Sequence, residues 1–303
     1  MTFHKQDYEQ QSPFGGYARL IQRMPVSLLR SRYLQQCGFD IAPYLEGLRD
    51  VRQYKCQVTG YLFWRPEHVA GTASFYRELS LAVANYYRES RWEYPLARDL
   101  VAGCGRVLEL GCGRGYFLKS IEGHVREAIG IDMNEGAVCN KVTHFDVVNA
   151  TIEEVGHRHG KFDAVCAFHV LEHLVDPHGF MLRAIENLAP NGLIVLSTPN
   201  HRFGTFRRQE DSLDLPPHHI GHFDAAVFRR LGHLYGLDLT RIETEPVPDP
   251  VLGKDSGAVD GVVEKARLSF AKYRAKFQRR YVQDIGRMIS VAFRARPETI
   301  RND

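Results

Sequence analysis

The sequence has no close cysteine pair, no long apolar run and no marked excess of either charge. Its six cysteines, Cys37, Cys56, Cys104, Cys112, Cys139 and Cys166, are scattered, and none belongs to a CxxC pair. A disulfide framework is therefore not expected, and reduced, structural cysteines are. No run approaches the ~18 apolar residues of a membrane span. The stretch Met1–Gln11 contains no apolar core, so a secretory leader is not expected and cytoplasm is the default location. The 39 basic and 36 acidic side chains leave a formal charge of +3. That balance excludes a strongly basic nucleic-acid coat protein and an acidic disordered tail. No internal repeat is visible. What is present is an ordinary globular composition, 44% hydrophobic and 25% charged, over 303 residues. This is enough for one large domain or two smaller ones.

Three regions follow from the patterning. Residues 1–95 form an N-terminal, substrate-side extension. Within it the Arg32–Gln36 and Tyr44–Leu48 stretches suggest short helices. Tyr54–Val58 and Tyr61–Trp64, on either side of Thr59-Gly60, predict a hairpin. Phe75, Leu79, Ala82, Val83, Tyr86 and Tyr87 recur at helical spacing, and Pro95 marks a helix start. Over residues 96–245 the pattern alternates. Strands are expected at Arg106–Leu110, Ala128–Asp132, near Thr143–Val148, at Phe162–Phe168, Gly192–Ser197 and Leu237–Glu243. Helices are expected from Tyr116, over Pro177–Leu188 and over Ala225–Tyr235. Alternation of this kind predicts an α/β fold with a mostly parallel, doubly wound sheet. Residues 246–303 are expected to form a Pro-rich linker and a basic helical tail, with Phe270, Tyr273, Phe277 and Tyr281 on one stripe.

Gly111-x-Gly113-x-Gly115 follows a strand and opens a helix. Glycines permit a tight turn and close backbone approach, and a helix N-terminus offers free N–H groups. The spacing differs from the dinucleotide fingerprint, so alone it fits either a plain turn or a ligand loop. Glu109 stands two residues before it, and Asp132 ends the second strand seventeen residues after Gly115. An acid there can accept both hydroxyls of a ribose.

Taken together, VLELGCGRG, Gly130-Ile131-Asp132, FDAV at 162–165, HVLEHL at 169–174 and the Pro190-Asn191-Gly192 turn resemble class I S-adenosylmethionine-dependent methyltransferases. The resemblance implies a Rossmann-like, seven-stranded, mostly parallel sheet with helical additions at both ends, and S-adenosylmethionine over the strand C-termini. It implies that Gly111, Gly113 and Gly115 flank the methionine part, that Glu109 belongs to the cofactor site, that Asp132 binds the ribose and that Met133 packs on the adenine. Asn149, followed by Ala150, stands where the family often has an adenine-binding acid, and an amide can also recognise adenine. Phe168 and His169 would lie near the sulfonium methyl.

The flanks, including Cys56–Gly60, Arg91–Tyr94 and Pro216–His219 with His222-Phe223, are similar to bacterial methyltransferases of polysaccharide and nucleotide-sugar pathways. Some sugar C-methyltransferases hold zinc on clustered cysteines. Thr59 stands where a second cysteine would be, so no such metal site is expected. Metal binding by histidines stays open. Transfer to a hydroxyl needs alignment and a base, and neutral His suits that. Candidates are His169, His173, His218, His219 and His222. His219 or His218 is the expected base, with His169 positioning substrate. His173 reads equally as a packing or capping residue. Trp64, Tyr76, Tyr86, Tyr87 and Trp92 offer a stacking wall or core.

The expected function is O-methylation of a sugar hydroxyl, on an acidic sugar or a glycan. Methylation of a phenol or quinone precursor, sugar C-methylation and a non-catalytic cofactor-binding module are the alternatives. Between 262 and 296 ten basic side chains face two acidic ones. That tail suits an anionic small-molecule or glycan substrate, a membrane surface, or a homodimer contact, rather than nucleic acid.

Overall fold

The computed structural model of this chain describes residues 10–83, 86–202, 211–246, 287–296 and 299. The extension contains β1 (Gln10–Gln11), β2 (Tyr17–Pro25), α1 (Val26–Cys37), β3 (Asp50–Cys56), β4 (Leu62–Arg65), α2 (Ala73–Ala82) and α3 (Glu93–Val101). The alternating part contains β5 (Arg106–Leu110), α4 (Tyr116–Ser120), β6 (Glu127–Ile131), α5 (Glu135–Cys139), β7 (Asp146–Val148), α6 (Ile152–His159), β8 (Phe162–Phe168), α7 (Pro177–Glu186) and β9 (Leu188–Pro199). β10 (Gly221–His222), α8 (Ala225–Leu234), β11 (Leu237–Thr244) and β12 (Met288–Ala295) complete it.

The larger sheet has seven strands in the order β11-β12-β9-β8-β5-β6-β7. The five strands from β9 to β7 run parallel, and β12 is antiparallel to both neighbours. The expected α/β, Rossmann-like, mostly parallel sheet is thus present. β5 and β8 are continuous apolar runs because helices cover both faces of the sheet, and both strands are buried almost throughout. The chain winds outward from β5 to β7 and then returns to β8 on the other side of β5. The strand order reverses there, and a crevice opens at the C-terminal ends of those strands.

The additions differ from expectation. The N-terminal one is an antiparallel five-stranded sheet, β1-β2-β3-β4-β10, as well as helices. Its hairpin β3–β4 lies where expected, but its last strand comes from the far side of the chain: Gly221 pairs with Phe63 and His222 with Leu62. Trp64, Tyr33 and Phe75 fill the core beneath it and are fully buried. At the other end, Met288–Ala295 is a strand, not helix. Its Ile289, Val291 and Phe293 are fully buried between β9 and β11, where an apolar, partly β-branched run pairs on both sides. The stripe from Phe270 to Tyr281 lies outside the described residues. Among the described residues no helix is long and apolar enough to cross a membrane.

Candidate active site

A cleft of about 1510 Å³ lies over the C-terminal ends of β5, β6 and β8 and is closed on one side by the extension. The glycine turn forms its floor. Gly111, Gly113 and Gly115 all have positive φ, at 70°, 55° and 79°. A Cβ on Gly111 would come within 2.5 Å of Val170 Cγ2, and one on Gly113 within 3.2 Å of Tyr87. Only glycine lets the backbone turn this tightly against the wall. Asp132 braces the turn, since its carboxylate accepts the N–H of Gly113 at 2.7 Å and that of Asn134 at 2.8 Å. Burial pushes its pKa up, and free lone pairs still face the cleft. Met133 beside it is 70% exposed and lines the cleft. Glu109 is 2% exposed and lines the cleft, with Oε2 lacking any hydrogen-bond partner. Burial, reinforced by the Asp132 charge, holds its carboxyl well above the ordinary range.

The opposite wall is rich in histidine. Residues 211–223 are not a solvated turn. Ile220 O accepts from Trp64 N–H, Ile220 N–H donates to Glu172 O, and Leu215 O accepts from the Tyr33 hydroxyl. His218 and His219 are consequently buried, yet both line the cleft. His219 Nδ1 donates to Asp214 Oδ1 at 3.0 Å, which leaves its Nε2 open, 4.0 Å from Glu172 Oε1. His218 Nδ1 donates to Leu213 O at 2.7 Å, and its Nε2 accepts from the Tyr86 hydroxyl at 2.9 Å. Burial, with the neighbouring histidines, lowers the pKa of both rings well below the usual value, so both stay neutral. His173 Nδ1 donates to His218 O at 2.6 Å. His222 lies behind the cleft wall, with Nδ1 on Gln53 and Nε2 on Asp214 O.

His169 is different. It ends β8 with φ at 56°, and its ring lies between two buried carboxylates, Glu93 at 2.8 Å and Glu172 at 3.4 Å. Burial alone would lower its pKa, but the Glu172 and Glu93 carboxylates on either side of the ring raise it overall. The two carboxylates thus favour the charged form of His169.

Residues 91–242 match the family described as methyltransferase domain. The chain belongs to that family. A ubiquinone biosynthesis O-methyltransferase of Bradyrhizobium diazoefficiens is 34% identical over 108 residues, 33% of this chain and 42% of that protein. A probable S-adenosylmethionine-dependent methyltransferase of Mycolicibacterium smegmatis is 32% identical over 163 residues, 52% of this chain and 62% of its own length. The chain thus spans less than two thirds of these curated relatives. A solved SAM dependent methyltransferase from Archaeoglobus fulgidus shares a loosely similar chain path, with TM-score 0.49 and 23% identity, covering 67% of this chain and 94% of that one.

S-adenosylmethionine fits the residues of this methyltransferase domain. The glycine turn leaves room that any Cβ would fill, Glu109 lines the cleft with one carboxyl oxygen unpartnered among the described residues, and exposed Met133 offers an apolar contact. Phe168, packed on Phe117 and Tyr94, and Ala150 line the same cleft. The Asn149 side-chain Nδ2 donates to Asp132 O at 2.8 Å, and Thr151 and Glu153 line the cleft beside it. Sequence reasoning missed Glu93, Glu172 and Asp214, the carboxylates that orient the histidines. Their signal was faint: each is one acid among 36, and only folding brings it to a ring.

Proposed function

We propose that this protein transfers a methyl group from S-adenosylmethionine to a hydroxyl oxygen of a small acceptor, foremost a sugar hydroxyl. The observation that carries this is the Asp214–His219 pair, whose Nδ1 is committed and whose Nε2 opens to the cleft. Bound S-adenosylmethionine supplies an electrophilic methyl carbon. Gly111, Gly113, Asp132 and Phe168 would hold it in the cleft. His219 Nε2 takes the hydroxyl proton as the new bond forms, and Asp214 holds the ring in the correct tautomer. A sugar hydroxyl is a far weaker acid than a phenol, so a held base of this kind supports an aliphatic acceptor.

The second reading is a phenol or quinone-type acceptor. Tyr76, Tyr86 and Tyr94 on the cleft wall favour it, as does the name of the Bradyrhizobium relative. Labelled S-adenosylmethionine offered with sugars, uronic acids, nucleotide sugars and catechols separates the two. Label on a sugar supports the first reading and label on catechols alone the second. No label on any hydroxyl across a broad panel would sink both.

A further inference from the structure

We infer that His173, His218 and His219 form a binding site for a divalent transition metal of the zinc class. One ring nitrogen from each lies within 4.8 Å of the others. The three ring centroids are 4.3 to 4.8 Å apart. Each Nδ1 already donates to an oxygen: His173 to His218 O, His218 to Leu213 O and His219 to the Asp214 carboxylate. Those bonds fix the three tautomers and leave each Nε2 as the lone-pair atom. An oxygen behind each ring is the arrangement that orients metal-binding imidazoles and raises their basicity.

The surroundings favour an ion over a merely packed cluster. Glu172 is 1% exposed, its Oε1 is 4.0 Å from His219 Nε2, and neither carboxylate oxygen has a hydrogen-bond partner. A cation there would balance a buried charge that His169 meets only at 3.4 Å. Three imidazoles suit zinc, cobalt or nickel better than magnesium or calcium. Three protein ligands with one open position is the coordination of catalytic zinc. The Tyr86 hydroxyl, 2.9 Å from His218 Nε2, is the group the ion displaces or takes as a further ligand. A second group, His201, Asp214 and His222, is also compact, but neither of its histidines lines the cleft.

The purpose of the metal rests on the acceptor reading above; its presence does not. With an ion bound, His219 is a ligand rather than the proton acceptor. An ion held by the three imidazoles would lower the pKa of an acceptor hydroxyl at the open position, and Glu172, 4.0 Å from His219 Nε2, would lie close enough to take the proton. The oxygen then bonds the methyl carbon as the sulfur–carbon bond breaks and the neutral thioether leaves.

The full chain, stripped with a chelator and dialysed, is incubated with Zn²⁺ or Co²⁺ alone, without cofactor or acceptor. Bound metal is counted by mass spectrometry, and Co²⁺ is read by its visible absorption. One ion per chain is expected, lost in His173→Gln and in His218→Gln. Asp214→Asn should weaken it by roughly 10- to 100-fold. Circular dichroism and S-adenosylhomocysteine binding establish that each variant is folded. Substoichiometric metal, or one ion that survives His173→Gln and His218→Gln combined, overturns the site. Stoichiometric metal with no methyl transfer to any acceptor upholds the site and sinks only the functional reading.

Discussion

His169 Nε2 lies 2.8 Å from Glu93 Oε1, and the Glu93 side chain has no exposed surface. The two residues are 76 positions apart. Their bond ties the end of β8, where the glycine turn and the histidine wall meet, to the first turn of α3. Ser197 Oγ also donates to the same carboxylate oxygen, at 3.2 Å, so β9 joins the knot. The extension is thereby fastened to the Rossmann-like sheet directly under the cleft.

Breaking that pair should be costly. Glu93→Ala leaves His169 buried with one carboxylate fewer, and removing one partner of a buried pair costs about 3–5 kcal/mol. Denaturant unfolding of Glu93→Ala beside Glu93→Gln tests this, with the smaller loss expected for the amide. A wild-type midpoint in Glu93→Ala would show the pair to be idle.

The same pair sets a pH window for stability. Burial opposes the charged ring of His169, but Glu172 and Glu93 raise its pKa above 6.5. Its contribution is present in full below 6.5 and disappears as pH rises through the raised value. Burial would push Glu93 up, but His169 pulls its pKa below 4.5. That contribution is present above 4.5 and is lost as pH falls through the lowered value. The thermal midpoint should therefore be highest between 4.5 and 6.5 and fall on both sides. In His169→Gln the alkaline fall should shrink, and an unchanged alkaline limb would assign it to other groups.

Gly111→Ala should weaken cofactor binding and stability together. Its φ of 70° costs a side chain about 1–2 kcal/mol, and the new Cβ would meet Val170 Cγ2 at 2.5 Å. Adding Val170→Ala removes the contact but not the backbone strain, so only partial recovery is expected. Calorimetric titration with S-adenosylhomocysteine reads both variants, and full recovery would mean that the backbone cost is negligible.

Asp214→Asn should lower turnover and spare the cofactor site. An amide at this position no longer obliges His219 to carry its hydrogen on Nδ1, so Nε2 ceases to be reliably open. A held base contributes roughly 10²–10⁴ in rate, and a loss within that range is expected once an acceptor is identified. Unaltered S-adenosylhomocysteine affinity is the accompanying control. Wild-type turnover in both Asp214→Asn and His219→Ala would remove this pair from the reaction.

Part of this protein could be read locally. β5, β6 and β8 are short apolar runs bounded by turn residues, and β8 falls at Phe162–Phe168 as its pattern dictates. The glycine turn and Asp132 are likewise local, since positive φ and an acid at a strand end depend on near neighbours. β12 could not be read this way. Its apolar run lies beside a basic, helix-spaced stripe, and only pairing with β9 and β11 makes it a strand.

The chain's own pattern determined the doubly wound sheet, its strand-to-helix turns and the family these residues belong to. Tertiary structure alone decided which histidine has its pKa raised, which have theirs lowered and which nitrogen each leaves open. His169, His218 and His219 are the same side chain in sequence. They differ because Glu172 and Glu93 raise the pKa of one, while burial and neighbouring histidines lower that of the other two, whose Nδ1 atoms are held by Leu213 O and Asp214. A ring's protonation state depends on burial and on partners from distant segments, and no local spacing encodes either.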